Sequence, residues 1–322
     1  MAVLSGTFQR TGKVAVREEL HDTISNISPT QTPFMSNIGT DKADNTYVEW
    51  LTDSLATANE DNAVINGDDA GNDTLTDAVR LANYTQLMDK VVGISSTTQA
   101  VKSAGGQTKM SYQLLKKSKE LKRDMEKRLS GAKAAVPLAD GTAGQCAGAV
   151  AFTRTNGSRG STGAAATLSG GTSGYINAAP TNGTLRTVTE AMLKDAVQDA
   201  WNEGGEPTMA IMSGPLKQTF STFAGIAQQR KDNSGNGMAT IIGAADVYVS
   251  DFGDIAFVPS RFTTGRDVLV IDPSLWKLCY LQRFQTDDLA KTGHADRKML
   301  STEFTLKCAN ELGNAVIADV QA

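Results

Sequence analysis

The feature that most constrains the fold is a long charged segment at residues 111–134, SYQLLKKSKELKRDMEKRLSGAKA. Its apolar and small residues recur at steps of three or four, which is the spacing of one helix face. That face consists of Leu114, Ser118, Leu121, Met125, Leu129 and Ala132. Gly105 and Gly106 precede the segment and Pro137 follows it, so the helix is bracketed. The segment therefore predicts one long amphipathic helix. Its eight basic and three acidic residues either bind phosphates or form a solvated face.

Residues 46–92 predict an extended, acidic, two-stranded excursion. The stretch NTYVEWLTDSLA alternates like a strand, a polar stretch follows, and RLANYTQLMDKVVGIS returns to strand character. The tip is expected near residues 67–72. Nine acidic residues oppose two basic ones in this excursion. The order DDAGND lacks the ligand spacing of an EF-hand loop, so a solvated, repelling loop is the default interpretation.

Before the excursion, the stretch PTQTPFMSNIG at residues 29–39 predicts an extended strip. Pro29 and Pro33 fix their own φ angles and push the preceding residues toward extended geometry. Phe34 and Met35 would form an exposed apolar hook on this strip. Residues 13–28 carry one apolar stripe, which is typical either of a core-facing helix or of an arm that reaches a neighbour.

The remainder of the chain predicts an α+β fold. Residues 139–184 are rich in Gly, Ala, Ser and Thr, which predicts a loop, an insertion or a linker that buries little surface. TVTE at residues 187–190 matches a capping box and starts a helix with Leu193, Val197, Ala200 and Trp201 on one face. A short helix beginning near Pro215 and several strands follow, and the tail from Lys298 holds two more strands joined near residues 310–314.

Composition and the residues that could carry chemistry give no sign of a catalytic or metal site. A net charge of −4 and a pI near 5.3 argue against a dedicated nucleic-acid grip. Cys146, Cys279 and Cys308 are far apart without a CxxC pair, so a reducing cytoplasm suits them. The two histidines, His21 and His294, lie in the predicted arm and in a turn-like GHAD, which are poor places for a catalytic base. We expect no catalytic residues, no metal site and no cofactor. We also expect a soluble protein without a leader or membrane span.

Read together, several stretches resemble the major capsid proteins of tailed bacteriophages with the Hong Kong 97 type fold. The stretches are PTQTPFMSNIG, NTYVEWLTDSLA, LANYTQLMDKVVGISSTTQAV, the KELKRDME helix and the segment from VLVIDPSLWKLCYLQRF to LGNAVI. The resemblance covers nearly the whole chain in order. It implies a coat protein that assembles as hexamers and pentamers into an icosahedral head around double-stranded DNA.

The resemblance also implies a domain plan. We expect an N-terminal arm at 1–45, an extended loop at 46–92 and an axial domain at 186–291. A peripheral domain would comprise 93–185 and 292–322, with a spine helix at 105–135 and the Gly-rich stretch at 139–184. In this fold the extended loop lies over the spine helix of the neighbouring subunit, where opposite charges would attract. The loop at 228–239 is expected at the symmetry axis.

From this plan we expect a set of subunit-interface residues in the arm, the loop, the spine helix and the axial loop. They are Phe34, Met35, Trp50, Asp61, Asp68, Asp69, Lys119, Lys122, Arg123, Arg230 and Lys231. Expected partners are other copies of the chain, a separate scaffolding protein, a portal, possible decoration proteins and packaged DNA through non-specific contact. Expected locations are the virion and, during assembly, the host cytoplasm.

Three alternatives stay open at the sequence level. An encapsulin-type nanocompartment would share the architecture but enclose an enzyme, and would show a groove for a cargo peptide. A hydrolase with an acidic cleft would need a nucleophile and base, which the scattered aspartates do not supply. A secreted fibre would explain the Thr/Ser/Gly-rich middle, but the chain shows no internal repeat.

Overall fold

The computed structural model describes residues 30–67, 69, 71–73, 75–101, 109–223, 246–291 and 293–322. The predictions for residues 13–28 and 228–239 lie outside these ranges. The helices are α1 (Pro33–Asn37), α2 (Ser96–Ala100), α3 (Met110–Leu129), α4 (Ala149–Phe152), α5 (Glu190–Asn202) and α6 (Gly214–Phe220), with a 3₁₀ turn at Pro273–Leu275.

The strands fall into two groups, which precede and follow helix α3 in the chain. The first are β1 (Gly39–Lys42), β2 (Tyr47–Thr52), β3 (Val79–Tyr84) and β4 (Gln86–Ser95). The others are β5 (Gly157–Ser158), β6 (Thr167–Leu168), β7 (Ile176–Ala178), β8 (Arg186–Thr187), β9 (Met209–Met212), β10 (Val247–Ser250), β11 (Gly253–Pro259), β12 (Val268–Ile271), β13 (Trp276–Leu289), β14 (Ala295–Cys308), β15 (Ala315–Ile317) and β16 (Val320–Gln321).

Two larger sheets organise these strands. A four-stranded sheet has the order β1-β13-β14-β4, with β1 parallel to β13 and the other pairs antiparallel. A six-stranded sheet has the order β10-β11-β9-β12-β15-β5. β2 and β3 form a separate antiparallel hairpin, and the pairs β6–β7 and β8–β16 complete the described strands. The mixture of helices and sheets confirms the α+β prediction.

Two apolar cores hold the layers together. One joins α3, α4 and the first sheet to one face of the six-stranded sheet, and includes Met125, Phe152, Ile211 and Trp276. The other lies on the opposite face of the six-stranded sheet, under α5 and α6, and includes Phe220. The six-stranded sheet is therefore buried on both faces, which explains why β9 and β12 consist of apolar residues without interruption.

Helix α3 confirms the long helix predicted from the apolar stripe, although it ends at Leu129 and the expected spine helix extended to residue 135. Leu121, Met125 and Leu129 on the predicted face are buried. The Ser130 Oγ donates to the Glu126 carbonyl at the end of the helix. Beyond it, the chain turns to pass against residues 146–148, which closes off further helical growth.

The extended strip predicted at residues 29–39 is wrong, because Pro33–Asn37 form helix α1. Pro33 occupies the first helical turn, where a fixed φ and a missing N–H are tolerated. The next two backbone N–H groups donate to the Glu126 carboxylate, which lies more than 90 residues away in sequence. A local rule about proline could not include this distant acceptor.

The Gly-rich stretch 139–184 is also not the poorly buried linker that its composition predicted. It contains four named strand or helix segments, and Ala147, Ala149, Ala151 and Phe152 are all buried. Small residues allow backbones to approach closely here: a Cβ on Gly148 would lie 2.2 Å from the Gly131 carbonyl oxygen. The segment contributes to the core through close backbone packing, which hydrophobicity does not measure.

Two smaller expectations need correction. The capping box at residues 187–190 does not form, because Thr187 lies in β8 and Thr189 is the N-cap, without a side-chain cap bond. Glu190 instead pairs with Lys194 and accepts a hydrogen bond from Tyr248 Oη. Trp201, expected on the buried face of α5, is half-exposed and packs its ring against Phe252.

The tail holds the two strands that the sequence predicted, but they enter different sheets. β14 joins the four-stranded sheet and β15 joins the six-stranded sheet. Likewise, residues 276–289, assigned above to the axial domain, form β13 and pair with β14 and β1. Strand pairing therefore interweaves segments that a linear domain plan separates, and the four-part division otherwise stays a prediction. Across the described residues, no helix is long and apolar enough to cross a membrane.

Candidate subunit-interface site

The N-terminal end of the described chain is fastened to α3 by a buried carboxylate. Phe34 N donates to Glu126 Oε1 at 2.8 Å, and Met35 N donates to Glu126 Oε2 at 2.9 Å. The Phe34 ring is 0% exposed and meets the Trp276 ring edge-on, with 5.8 Å between centroids. The apolar hook therefore inserts into its own subunit.

Glu126 is an unusual residue for such a position because it is fully buried in α3. Burial raises the pKa of the Glu126 carboxyl, although the backbone N–H groups of Met35 and Phe34 oppose the shift. Among the described residues, no cation lies within ion-pair distance of it. Glu126 was not predicted to be a functional residue. The sequence feature that could have indicated it is its position directly after Met125, a residue of the apolar stripe.

Phe34 and Trp50 were expected at a subunit interface, and the structure places both inside the subunit. Trp50 is buried on β2, and its ring lies 5.9 Å from that of Phe152. The prediction that Phe34 is exposed is therefore wrong, and contact of either residue with a neighbouring subunit stays a prediction. Met35 is partly buried against the same core, which leaves part of its surface for a neighbour.

The three basic residues of α3 that were predicted at an interface differ in their surroundings. Lys122 Nζ lies 5.8 Å from the Phe284 ring centroid, and the Arg123 guanidinium lies 5.5 Å from the Phe262 ring centroid. These two cations therefore pack on rings of their own subunit. Lys119 is exposed, as predicted for an interface residue.

Two further exposed residues of α3, Leu115 and Lys116, were not among the predicted interface residues. Leu115 is 56% exposed, and Lys116, next to it in the chain, is also exposed. With Lys119, one turn further along, they form a surface patch, called here the α3 patch, that combines an apolar side chain with two positive charges. Lys119 lies four residues after Leu115 and three after Lys116, the helical spacings that place it beside each of them.

The segment between β2 and β3 also combines exposed apolar side chains with charged ones, but here the charges are negative. Leu55 is 98% exposed and Leu75 is 92% exposed, and Val64 and Ile65 are also exposed. Asp61 and Asp69 are exposed, as predicted. This acidic segment, residues 53–78, is called here the acidic loop. Large apolar side chains in water along one segment indicate a contact surface.

The base of the excursion is tied to α3 of the same chain. Lys90 Nζ on β4 lies 2.7 Å from Asp124 Oδ2, and hydrogen bonding to Asp124 raises the pKa of Lys90. Asn83, buried on β3, donates to the Leu306 carbonyl and accepts from Ala147 N. These contacts hold β3 and β4 against the body of the subunit.

The remaining predicted interface residues, Asp68, Arg230 and Lys231, lie outside the described residues. Across the residues that the structure describes, no group of His, Cys, Asp and Glu side chains is arranged to hold a metal ion. The basic α3 patch and the acidic, apolar loop are features of contact surfaces, whereas Glu126 and Phe34 form an anchor inside the subunit.

This architecture defines the class of protein. A long helix packed along a four-stranded sheet, a two-stranded hairpin and a second sheet domain form the Hong Kong 97 type capsid fold, shared with phage shell proteins. A model of the SU10 major capsid protein family matches residues 4–321, and the chain belongs to that family. The resemblance found in the sequence is thereby confirmed.

Individual relatives agree with this assignment. The chain is 40% identical over 118 residues to the major capsid protein of Escherichia phage Phieco32. That match spans 36% of this chain and 34% of the relative, about a third of the relative's length.

Solved structures show the same fold at low sequence identity. A structure from Microbacterium phage Oxtober96 has a TM-score of 0.58 at 12% identity, covering 95% of this chain and 96% of that one. The holo-SrpI encapsulin complex from Synechococcus elongatus has a TM-score of 0.52 at 10% identity, covering 93% of this chain and 92% of that one. At these identities the likeness concerns the fold alone.

Proposed function

We propose that this chain is the coat subunit of a phage head, and that copies of it assemble as hexamers and pentamers into an icosahedral shell around double-stranded DNA. The observation that carries the proposal is the family match over residues 4–321. The exposed apolar side chains of the acidic loop support self-association, because they have no cover within the described part of a single chain.

In this proposal the acidic loop of one subunit lies over the α3 patch of its neighbour. The loop supplies Leu55 and Leu75 with surrounding acids, and the patch supplies Leu115 with Lys116 and Lys119. Exposed ion pairs contribute about 0–1 kcal/mol each and are screened by salt, so burial of the apolar side chains provides most of the affinity. The charges set the register and exclude wrong pairings.

Charge reversal of the α3 patch should impair assembly. We expect Lys116→Glu with Lys119→Glu to place acids opposite acids and to slow or prevent shell formation, as followed by light scattering. The triple change of Lys119, Lys122 and Arg123 to Glu should be more severe, but it also removes two cation–ring contacts within the subunit. The double change is therefore the cleaner test.

A charge swap provides the matched control. Asp61→Lys with Asp69→Lys should fail alone, and should restore assembly when combined with the reversed α3 patch. Two outcomes would contradict the pairing of these two surfaces. One is normal assembly at low salt when only one of the two surfaces is reversed, and the other is failure to assemble when both are reversed.

The principal alternative is an encapsulin-type nanocompartment, since an encapsulin shares the fold. The family match favours the phage head. A hydrolase is disfavoured because the chain belongs to a family of structural shell proteins.

Further partners follow from the proposed role. We propose a separate scaffolding protein and a portal during assembly in the host cytoplasm, and a place in the virion afterwards. Decoration proteins on the outer surface fit the same role. The net charge of −4 would leave packaged DNA in weak, non-specific contact, since tight phosphate binding needs a basic surface.

The first experiment is to purify the protein alone and examine it by light scattering and negative-stain electron microscopy. Closed shells, capsomers or curved sheets are expected. The contents of shells recovered from cells distinguish DNA from an enclosed enzyme. A uniform monomer or dimer at high concentration, unchanged by salt or added scaffolding protein, would overturn the proposal.

A further inference from the structure

The segment from Thr30 to Ile38 is joined to the rest of the subunit by few contacts. Its other described hydrogen bonds are local, such as Ser36 N to the Thr32 carbonyl and Asn37 Nδ2 to the Pro33 carbonyl. Its long-range hydrogen bonds, within the residues described, are the two that end on Glu126. Its apolar contacts are the Phe34 ring, which meets Trp276, the buried Ile38 side chain and the partly buried Met35.

The chain immediately after this segment is held in a different way. Residues 39–42 pair in register with residues 277–280 as β1 beside β13, and Ala43 N donates to the Tyr280 carbonyl. This ladder does not depend on Glu126. The boundary between the two modes of attachment lies at Ile38 and Gly39, and a Cβ on Gly39 would meet only ordinary contacts.

Burial of the Glu126 carboxylate weakens the attachment that its hydrogen bonds provide. Glu126 is 0% exposed, and three basic residues of α3 make contacts elsewhere: Lys122 with Phe284, Arg123 with Phe262, and Arg128 with the carbonyls of Cys146 and Ala134. Helix α1, with the sequence PFMSN, carries no charged side chain. A buried charge without a counter-ion regains hydration when its cover leaves, so the attachment is weaker than two such hydrogen bonds would otherwise be.

We propose that Glu126 and Phe34 form a latch from which residues 30–38 detach as a unit while the body of the subunit stays folded. Glu126 is the positioning residue of the latch: its two oxygens fix the start of α1 and the direction in which the N-terminal chain leaves α3. Ile38–Gly39 is the hinge.

Amide hydrogen exchange on the unassembled full chain tests the latch. In the native protein, the amides of Phe34 and Met35 should exchange through local opening, faster than those of β13 and β14. Glu126→Gln keeps the side-chain size but offers one acceptor oxygen and a competing donor, so one N–H loses its partner. We expect exchange at Phe34 and Met35 to rise about tenfold or more, with unchanged exchange in β1, β13 and β14.

Two controls keep the result interpretable. Glu120 is on the same helix and its carboxylate pairs with Lys117. Glu120→Gln should therefore leave the exchange rates of the Phe34 and Met35 amides unchanged. Phe34→Leu removes the ring but keeps the N–H donors, and should also accelerate exchange in residues 30–38 alone. If Glu126→Gln accelerates exchange equally throughout the subunit, or leaves Phe34 and Met35 protected, the latch is overturned. Neither outcome depends on whether shells form, so the coat-protein proposal is judged separately.

Discussion

Replacing Asp319 with alanine should destabilise the subunit by about 3–5 kcal/mol, the usual cost of breaking a buried ion pair from one side. Asp319 is 1% exposed and accepts hydrogen bonds from Arg266 Nη2 at 2.8 Å, from Gly183 N at 2.8 Å and from Gly160 N at 3.2 Å. These bonds join the end of the chain to the Gly-rich stretch. Chemical denaturation of the unassembled subunit measures the loss.

The asparagine variant separates charge from conformation. Asp319 has a φ of 58°, which alanine tolerates poorly and asparagine tolerates well. Asp319→Asn should therefore lose about 2 kcal/mol, mainly through the charge-assisted bonds. Asp288→Ala is the matched control, since Asp288 is exposed and its carboxylate pairs with Lys298 at 2.8 Å on the surface. It should change stability by less than about 0.5 kcal/mol.

The effect of Asp319 should also depend on pH. Burial opposes ionisation, but the hydrogen bonds from Gly183, Arg266 and Gly160 outweigh it and hold the pKa of Asp319 below its ordinary value of 3.8. The stabilisation is therefore present above pH 3.8 and is lost as the pH falls through the lower folded-state pKa. The stability difference between the native protein and Asp319→Asn should shrink in that range. A difference that grows on acidification would contradict this assignment.

Gly148→Ala should be the second severe change, with a loss of about 3 kcal/mol or more from overpacking. A Cβ there would lie 2.2 Å from the Gly131 carbonyl oxygen and 2.7 Å from the Arg128 carbonyl oxygen. Both obstacles are backbone atoms at the end of α3, so no side chain can rotate away. Gly148 has a φ of −94°, which any residue adopts, so the effect is steric alone.

Gly214→Ala is the matched control for this change. Gly214 begins α6, and a Cβ there meets nothing within 4 Å. Alanine should be neutral or stabilising by up to about 1 kcal/mol, because it loses less backbone entropy than glycine. Equal thermal stability of the Gly148 and Gly214 variants would show that the backbone near Gly131 yields, and that the close approach is not required.

Elements with strong local patterns were predicted well. The stripe of Leu121, Met125 and Leu129 placed α3, and the alternation around Tyr47–Thr52 placed β2 with its partner β3. The exposure of Asp61, Asp69 and Lys119 was also predicted, because charged residues stay at the surface unless something specific buries them. Whether these residues contact a neighbour stays a prediction.

Elements that depend on distant partners were predicted poorly. Phe34 was expected to be exposed, since nothing in PTQTPFMSNIG indicates that Trp276 and Glu126 receive it. Glu126 itself was counted among the surface charges of its helix. The stretch 139–184 was interpreted by composition, while its burial follows from backbone contacts such as Gly148 with Gly131.

The sequence by itself determined the periodic elements, the acidic hairpin and the resemblance to phage coat proteins, because periodicity, charge and motif order are properties of neighbouring residues. Only the tertiary structure decided which side chains are anchors and which are free for contact. Glu126 and Asp319 are buried acids whose partners lie far away in the chain, whereas Leu55 and Leu115 are apolar residues left in water. Burial depends on the atoms that pack around a residue, and long-range pairing brings those atoms together.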